Sequence, residues 1–259
     1  DMYVSYLNRF IDKNVNQPFF AIYSMPLVQK PWVPTPNDPE YDTWDPKYDE
    51  IRSDLKYFPS MVNYMDKKIG DIIHHLQDKK IINNTLILFT TDNATNVNIY
   101  SMWRDSLVRG LKNGTILWST RVPLVAYWPR GIEPNQSTST LVDFTDFLPT
   151  FADVARIPVP NNYGILDGTS FYDNLTGRNG IDRAWSFCHW DNDPNDNKQP
   201  IRYINDTMYK LYDEPPNYPR FYNMQIDQFE VFPIPKRKQT EEEKQIRENF
   251  IEELQKMHN

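Results

Sequence analysis

Residues 57–96 read YFPSMVNYMDKKIGDIIHHLQDKKIINNTLILFTTDNATN, and in them a helical pattern runs directly into a strand pattern. Apolar residues recur every three or four positions over residues 58–79, which predicts an amphipathic helix. Residues 85–91 are apolar and β-prone, which predicts a strand. The strand ends at Asp92 and Asn93, so a carboxylate and an amide stand side by side where a buried segment reaches the surface.

Two interpretations of the Asp92-Asn93 pair are open from these residues alone. The carboxyl ends of strands are where ligands bind in open α/β sheets. Carboxylate and amide oxygens are also the donors that a hard cation prefers. Asp and Asn equally open ordinary turns, and local sequence favours that simpler interpretation.

Other segments extend the pattern into an α/β fold. Helical spacing covers residues 2–13, strand-like runs cover 18–25 and 122–128, and a helix with an internal proline is expected over 141–155. Strand, helix and strand in succession predict a parallel or mixed sheet with crossover helices.

The character of the chain changes after about residue 180. Short aromatic runs separated by Asn, Asp and Pro favour a small antiparallel sheet: AWSFCHW (184–190), IRYINDTMYKLY (201–212) and RFYNMQI (220–226). A capping box formed by Thr240 and Glu243 predicts a final helix packed on that sheet. We therefore expect an α/β core over residues 1–180 and a small α+β subdomain over 181–259.

Composition narrows the classes of function. The chain of 259 residues has 39% hydrophobic residues and a net charge of −7, so it is expected to be globular and not to bind nucleic acid. It contains no apolar run of about 20 residues, so no membrane span is expected. Its one cysteine, Cys188, excludes an intrachain disulfide. Asn-x-Ser/Thr sequons favour a secretory or other extracytoplasmic protein (lysosomal, extracellular or periplasmic), and they begin at Asn83, Asn93, Asn113, Asn135, Asn174 and Asn205.

Several blocks, in order, resemble the sulfatase branch of the alkaline-phosphatase superfamily, with arylsulfatase-like motifs. Residues 57–96 resemble that family's most recognisable stretch, which ends in Asp-Asn-Gly. The other similar blocks are PFFAIYSMPLVQKPWVPTP (18–36), RGLKNG (109–114), TRVPLVAYWPRGI (120–132), LVDFTDFLPTFADVARIPVP (141–160) and LDGTSFYDNLTG (166–177). The resemblance covers nearly the whole chain and corresponds to the C-terminal half to two-thirds of a sulfatase.

The resemblance implies roles for four residues. Asp92 and Asn93 match two ligands of the active-site divalent cation, usually Ca²⁺, in a site that this chain alone leaves incomplete. Lys112 matches the lysine that contacts the sulfate group, and an ammonium is a suitable clamp for an anion. Gln29 matches a substrate-binding position that is usually histidine, and glutamine cannot carry a proton or a positive charge.

Other features depart from the family. Ala94 stands where glycine is usual, and ILWST (116–120) replaces a segment that often contains two glycines. The Cys-x-Pro-x-Arg motif that supplies the formylglycine nucleophile is absent from these 259 residues, as is the N-terminal Asp-Asp metal pair. Cys188 precedes His-Trp-Asp-Asn and does not match that nucleophile, so we expect a small buried residue there.

Three functions follow from this resemblance. The first is hydrolysis of sulfate esters, on a sulfated small molecule or glycan, once an N-terminal part of the protein or a complementary chain supplies the nucleophile. The second is a catalytically inactive sulfatase-like protein with a structural or sulfated-glycan-binding role. Gln29, Ala94 and ILWST (116–120) favour it, whereas Asp92, Asn93 and Lys112 argue against it. The third, a phosphatase or phosphodiesterase, is disfavoured because Asp92 is followed by Asn93 and not by histidine.

Overall fold

The computed structural model describes residues 1–45, 53–159, 162, 164–191, 199–213 and 220–257. Contacts divide the chain into two units, which we describe separately. The first unit comprises Asp1–Ile87 and Tyr127–Arg130, and the second comprises Leu88–Ala126 and Gly131–Asn259. The boundary expected near residue 180 remains a prediction about domain organisation.

Helices and strands are numbered in chain order. The helices are α1 (Met2–Asn14), α2 (Phe58–Asp78), α3 (Leu117–Thr120), α4 (Phe147–Ala155), α5 (Tyr172–Leu175) and α6 (Glu241–Lys256). The strands are β1 (Ile87–Thr90), β2 (Tyr100–Trp103), β3 (Ser106–Arg109), β4 (Leu124–Tyr127), β5 (Ser186–Trp190), β6 (Ile201–Asn205), β7 (Tyr209–Tyr212) and β8 (Phe221–Asn223). Short 3-10 helices lie at Tyr41–Thr43, Leu55–Tyr57, Ile82–Asn84, Phe144–Asp146 and Lys236–Lys238.

The core of the first unit forms where α1 packs against α2. Ile11 of α1, Leu76 of α2 and Ile82 are its buried members, and burial of such side chains removes apolar surface from water. His75 and Lys79 both contact the carboxylate of Asp12, at 2.9 and 2.7 Å. Both helices predicted from apolar spacing are therefore confirmed.

The strand expected over residues 18–25 is wrong. The structure has no strand in this segment, and the side chains of Phe20 and Ile22 are 59% and 78% exposed. A β-strand requires a neighbour that satisfies its backbone hydrogen bonds, and β-prone residues do not supply one. Among the described residues, no other strand pairs with this segment.

The strands predicted over 85–91 and 122–128 are confirmed in shortened form as β1 and β4, which pair with each other. The antiparallel hairpin of β2 and β3 was not predicted. Its two-residue loop is Arg104-Asp105, in which Arg104 has a φ of 52°. The usual sequence signal for such a turn is Asn-Gly or Asp-Gly, and this loop lacks it.

The second unit contains the antiparallel sheet that the aromatic runs predicted, in the order β5-β6-β7-β8. Helix α6 packs on one face of it through a core that includes Ile204, Leu211, Phe221, Phe250 and Leu254. The predicted capping box is confirmed: the Thr240 hydroxyl accepts from the Glu243 N–H at 3.1 Å, and the Glu243 carboxylate accepts from the Thr240 N–H at 2.8 Å.

The helix expected over 141–155 begins later than predicted. Phe144–Asp146 is a 3-10 helix, and α4 starts at Phe147, which places Pro149 in the first turn, where its missing N–H costs no helical hydrogen bond. Asp146 is 1% exposed and its carboxylate is bound by the guanidinium of Arg183 and by the N–H of Thr169 at 2.6 Å. This buried network joins α4 to the Leu-Asp-Gly turn that follows it.

Candidate functional site

The segment after β1 presents the first two predicted site residues. The Asp92 side chain is exposed and the Asn93 side chain is half-buried. Among the described residues, neither side chain forms a hydrogen bond or ion pair, and the contact in this turn is the Thr91 hydroxyl donating to the Asn93 carbonyl at 3.2 Å. Within the described part of the chain, Asp92 therefore neither caps the turn nor pairs with a surface arginine.

Lys112 lies on a second loop, Gly110–Ile116, which we call the lysine loop. The Lys112 N–H donates to the carbonyl of Thr95 at 3.0 Å, and Thr95 lies three residues beyond Asp92. The Gly110 N–H donates to the Ile99 carbonyl at 2.8 Å. The structure therefore brings the backbone of Lys112 against the segment that begins with Asp92 and Asn93.

Gly110 shows how closely these two segments approach. A Cβ atom at this position would lie 2.1 Å from the Asn96 carbonyl oxygen and 2.6 Å from the Thr95 carbonyl oxygen. Both obstructing atoms belong to the backbone, so no side-chain rotation relieves the overlap. Glycine is required here for close approach, since any larger residue would separate the lysine loop from residues 95 and 96.

The departure at Ala94 has a structural explanation, and the ILWST segment contacts it. Among the described residues, the non-glycine residues with positive φ do not include Ala94, so alanine carries no left-handed strain at this position. The Ala94 N–H donates to the Ser119 carbonyl at 3.4 Å. The positive φ of the lysine loop falls instead on Asn113, at 71°, a residue type that tolerates this conformation.

Gln29 belongs to the first unit. It lies in a turn closed by its N–H donating to the Pro26 carbonyl at 3.1 Å, and its side chain is exposed. The neighbouring Lys30 places its ammonium 5.4 Å from the ring centroid of Trp32, a cation–π contact. The role of Gln29 as a substrate contact remains a prediction.

Sequence reasoning missed a buried charged cluster in the second unit. The side chains of Lys210 and Glu230 are 1% and 2% exposed and lie 2.9 Å apart. Burial lowers the pKa of Lys210 to about 8, although the adjacent Glu230 carboxylate acts in the opposite direction. The available signal was the position of Lys210 within the run MYKLY (208–212). Residues two apart on a strand share a face, so Lys210 shares its face with Met208 and Tyr212 and no polar face is left for it.

The donor set fits part of a divalent-cation site. Asp92 and Asn93 offer adjacent oxygen atoms that no described residue occupies, as calcium ligation requires. Calcium takes six to eight oxygen ligands, and the described part of the chain contains no cluster of three or more His, Cys, Asp or Glu side chains arranged for a metal. Asp92 and Asn93 therefore fit two positions of such a site, and their role as metal ligands remains a prediction.

Comparison with known proteins places the chain in a family. The family model described as Sulfatase matches residues 1–157. The model described as N-sulphoglucosamine sulphohydrolase, C-terminal, matches residues 116–259.

Individual relatives agree with these matches. The chain is 26% identical over 192 residues to the uncharacterized sulfatase YdeN of Escherichia coli (strain K12), covering 71% of this chain and 32% of that protein. It resembles the crystal structure of Ps i-CgsB with a TM-score of 0.72 at 20% identity, covering 99% of this chain and 54% of the other. It also resembles BT4656 in complex with its substrate D-glucosamine-2-N,6-O-disulfate, with a TM-score of 0.62 at 22% identity, covering 77% of this chain and 40% of the other.

The chain thus spans about a third of the length of this curated relative and 40–54% of the length of these two solved structures. The expected α/β fold class is confirmed by these structural neighbours. Within the described ranges, no helix combines the length and apolar character needed to cross a bilayer. With a family model matching more than half of its residues, the chain belongs to the sulfatase family of the alkaline-phosphatase superfamily.

Proposed function

We propose that the complete protein hydrolyses sulfate esters and that the second unit of this chain contributes Asp92, Asn93 and Lys112 to the site that holds the sulfate group. The observation that carries the proposal is the backbone hydrogen bond from Lys112 to Thr95, at 3.0 Å. It supports the proposal because it brings the backbone of the loop that carries the Lys112 ammonium against the segment that carries the Asp92 and Asn93 oxygen atoms. An anion bound to a metal needs both kinds of group in one place.

Each of these residues has a distinct task in the proposed site. Asp92 and Asn93 would hold one side of a divalent cation, calcium by resemblance, and the cation would supply positive charge against the sulfate oxygens. Lys112 donates hydrogen bonds to the sulfate and neutralises part of its charge. The half-buried position of Lys112 strengthens that attraction relative to a fully solvated lysine.

The nucleophile of the proposed reaction lies outside this chain. By resemblance it is a formylglycine on a preceding segment, covalent or separate, which also carries the remaining metal ligands. Exposed apolar side chains support docking of such a segment: Ile22 is 78% exposed, and Val125 of β4 is 57% exposed. In the complete protein we expect both to be protected from solvent labelling, whereas labelling as strong as in residues 1–259 alone would contradict this.

The substrate class proposed is a sulfated carbohydrate. Support comes from the structural neighbour BT4656, whose substrate is D-glucosamine-2-N,6-O-disulfate. The six sequons support an extracytoplasmic location, where such glycans occur. Asn113, which starts one of the sequons, is exposed beside Lys112, so a glycan attached there would crowd the proposed site.

A second candidate function is a catalytically inactive sulfatase-like protein that binds sulfated glycans or serves a structural role. The observation that favours it is Gln29, an exposed side chain that cannot supply the proton or positive charge of the usual histidine.

Lys112→Ala in the complete protein tests both candidates. The substitution removes the ammonium and keeps the backbone N–H that contacts Thr95. We expect turnover of an aryl sulfate to fall by about 10²–10³ and binding of inorganic sulfate, measured by calorimetry, to weaken. The matched control is Lys244→Ala, which removes an exposed lysine of α6 that is paired with Glu241.

The outcomes separate the candidates. Turnover in the wild-type protein that depends on Lys112 supports the sulfatase. Sulfate binding that depends on Lys112, without turnover, supports the inactive binding protein. Absence of both sulfate binding and turnover in the wild-type protein would contradict the proposed site.

A further inference from the structure

The buried cluster of the second unit reaches the lysine loop. On the sheet side, Lys210 lies on β7, and the hydroxyl of Tyr212, two residues further along the same strand, donates to the Glu230 carboxylate. The ammonium of Lys210 also lies 3.9 Å from the ring centroid of Tyr203 on β6. The charged pair is therefore enclosed by the tyrosine face of the sheet.

The same two charged groups bind the backbone at the end of the lysine loop. The Lys210 ammonium donates to the Thr115 carbonyl, and the Leu117 N–H, at the start of α3, donates to the Glu230 carboxylate at 2.7 Å. The Tyr212 and Thr115 hydroxyls lie 3.3 Å apart. Two backbone groups within five residues of Lys112 thus depend on side chains about 95 and 113 positions away in sequence.

Glu230 is held in an unfavourable conformation to make this contact. Its φ is 55°, a left-handed conformation that non-glycine residues seldom adopt. The turn around it is closed by the Asp227 carboxylate, which accepts from the N–H groups of Val231 at 3.0 Å and Phe232 at 2.7 Å. Strain of this kind persists where the surrounding contacts enforce it, and it is concentrated near functional sites.

A role in stability alone does not explain the pair. Burying an ammonium and a carboxylate carries a desolvation penalty, and apolar residues of similar volume often stabilise a core equally well. Apolar residues would not bind the Thr115 carbonyl or the Leu117 N–H, so those backbone groups would lose their partners. The feature that only charged residues provide is the attachment of the lysine loop to the sheet.

We propose that Lys210 and Glu230 are positioning residues that fix the lysine loop, and with it Lys112, in the geometry needed to bind the sulfate group. The inference deepens the proposed function and rests on it for the role of Lys112. It concerns two residues that do not touch the substrate and act through the backbone of Thr115 and Leu117.

The test compares three variants of the complete protein with the wild type by amide hydrogen exchange and by binding of inorganic sulfate. The double variant Lys210→Met/Glu230→Met removes both attachments while keeping similar volume. Glu230→Gln keeps an oxygen that accepts from the Leu117 N–H. Lys244→Met is the control, because it replaces an exposed lysine of the same unit by methionine and leaves the buried pair intact.

We expect amides 115–119 of the double variant to exchange at least about tenfold faster than in the wild-type protein, while those of β6 and β7 keep their protection. Sulfate affinity should fall by about tenfold or more in the double variant and remain closer to wild type in Glu230→Gln. Unchanged exchange and unchanged affinity in the double variant would overturn the proposal. Equal acceleration across the whole sheet would also overturn it, because the pair would then serve the core in general.

A measurement on the wild-type protein covers the case in which the double variant does not fold. Exchange under increasing denaturant should show amides 115–119 opening together with those of β7. Opening of the loop far below the β7 transition would contradict the attachment. Because exchange requires neither sulfate nor turnover, it distinguishes failure of this inference from failure of the proposed function.

Discussion

Replacing Gly110 by alanine provides the strongest test of the geometry around Lys112. The added Cβ would meet the Asn96 carbonyl oxygen at 2.1 Å and the Thr95 carbonyl oxygen at 2.6 Å. Carbon and oxygen atoms that are not bonded rarely approach within about 3 Å, so the two segments must separate by about 1 Å. The separation strains the Lys112–Thr95 hydrogen bond that joins the two segments.

The expected magnitude follows from the kind of atom in the way. Overpacking a well-packed position costs about 1–3 kcal/mol, and the upper part of that range applies because backbone atoms cannot rotate aside. A displacement of about 1 Å at an active site can reduce turnover about 100-fold. We therefore expect Gly110→Ala to lower the free energy of unfolding by about 2–3 kcal/mol and to weaken sulfate binding and any turnover.

The matched control is Gly70→Ala, the same substitution in the middle of α2. Apart from its chain neighbours and the backbone of its own helix, no atom would lie within 4 Å of a Cβ at Gly70. Alanine favours a helix interior over glycine by about 0.5–1 kcal/mol. Urea denaturation of the complete protein should therefore show opposite signs for the two variants. Stability and sulfate affinity of Gly110→Ala equal to those of the wild-type protein would refute the close approach.

Three further predictions concern other residues. Arg183→Leu leaves the buried Asp146 carboxylate without its cation and should lower the free energy of unfolding in denaturant by about 3–5 kcal/mol. The same substitution at the exposed Arg178 should lower it by less than about 1 kcal/mol. Equally small effects of the two substitutions would contradict the buried network. Burial opposes ionisation of Asp143, but hydrogen bonds from Ser186 and Thr145 outweigh it and lower its pKa. Its contribution to stability is therefore complete above the unfolded pKa of about 3.9 and is lost as the pH falls through the lower folded value. The stability difference between the wild-type protein and Asp143→Asn should stay constant above that range and shrink only across it in an acid titration, and a difference that does not change with pH there would contradict the lowered pKa. In a complete protein that carries a formylglycine, Gln29→His should raise aryl sulfate turnover at least about tenfold, which corresponds to an activation free energy lower by about 1.4 kcal/mol. A wild-type protein as fast as ordinary sulfatases would contradict the interpretation of Gln29 as a defect.

Local patterns in the chain predicted several elements correctly. The apolar spacing of 58–79 predicted α2, the β-prone run of 85–91 predicted β1, and Thr240 with Glu243 predicted the start of α6. Each of these signals depends on residues within a few positions of one another, so the sequence contains all the information required. The ordered motifs also predicted the family, because their order and spacing match those of its C-terminal part.

Features that depend on distant partners were not accessible in the same way. Residues 18–25 have strand composition and form no strand, since the described chain offers no neighbouring strand with which they pair. The Lys210–Glu230 pair looks like two ordinary surface charges, and its burial depends on the packing of the sheet. The need for glycine at position 110 arises from a carbonyl group 14 residues earlier in the chain. Composition and spacing are local properties, whereas burial, pairing and close approach are properties of the folded chain. The motif therefore predicted Lys112 as a candidate site residue, but the fold was required to show that its backbone contacts Thr95.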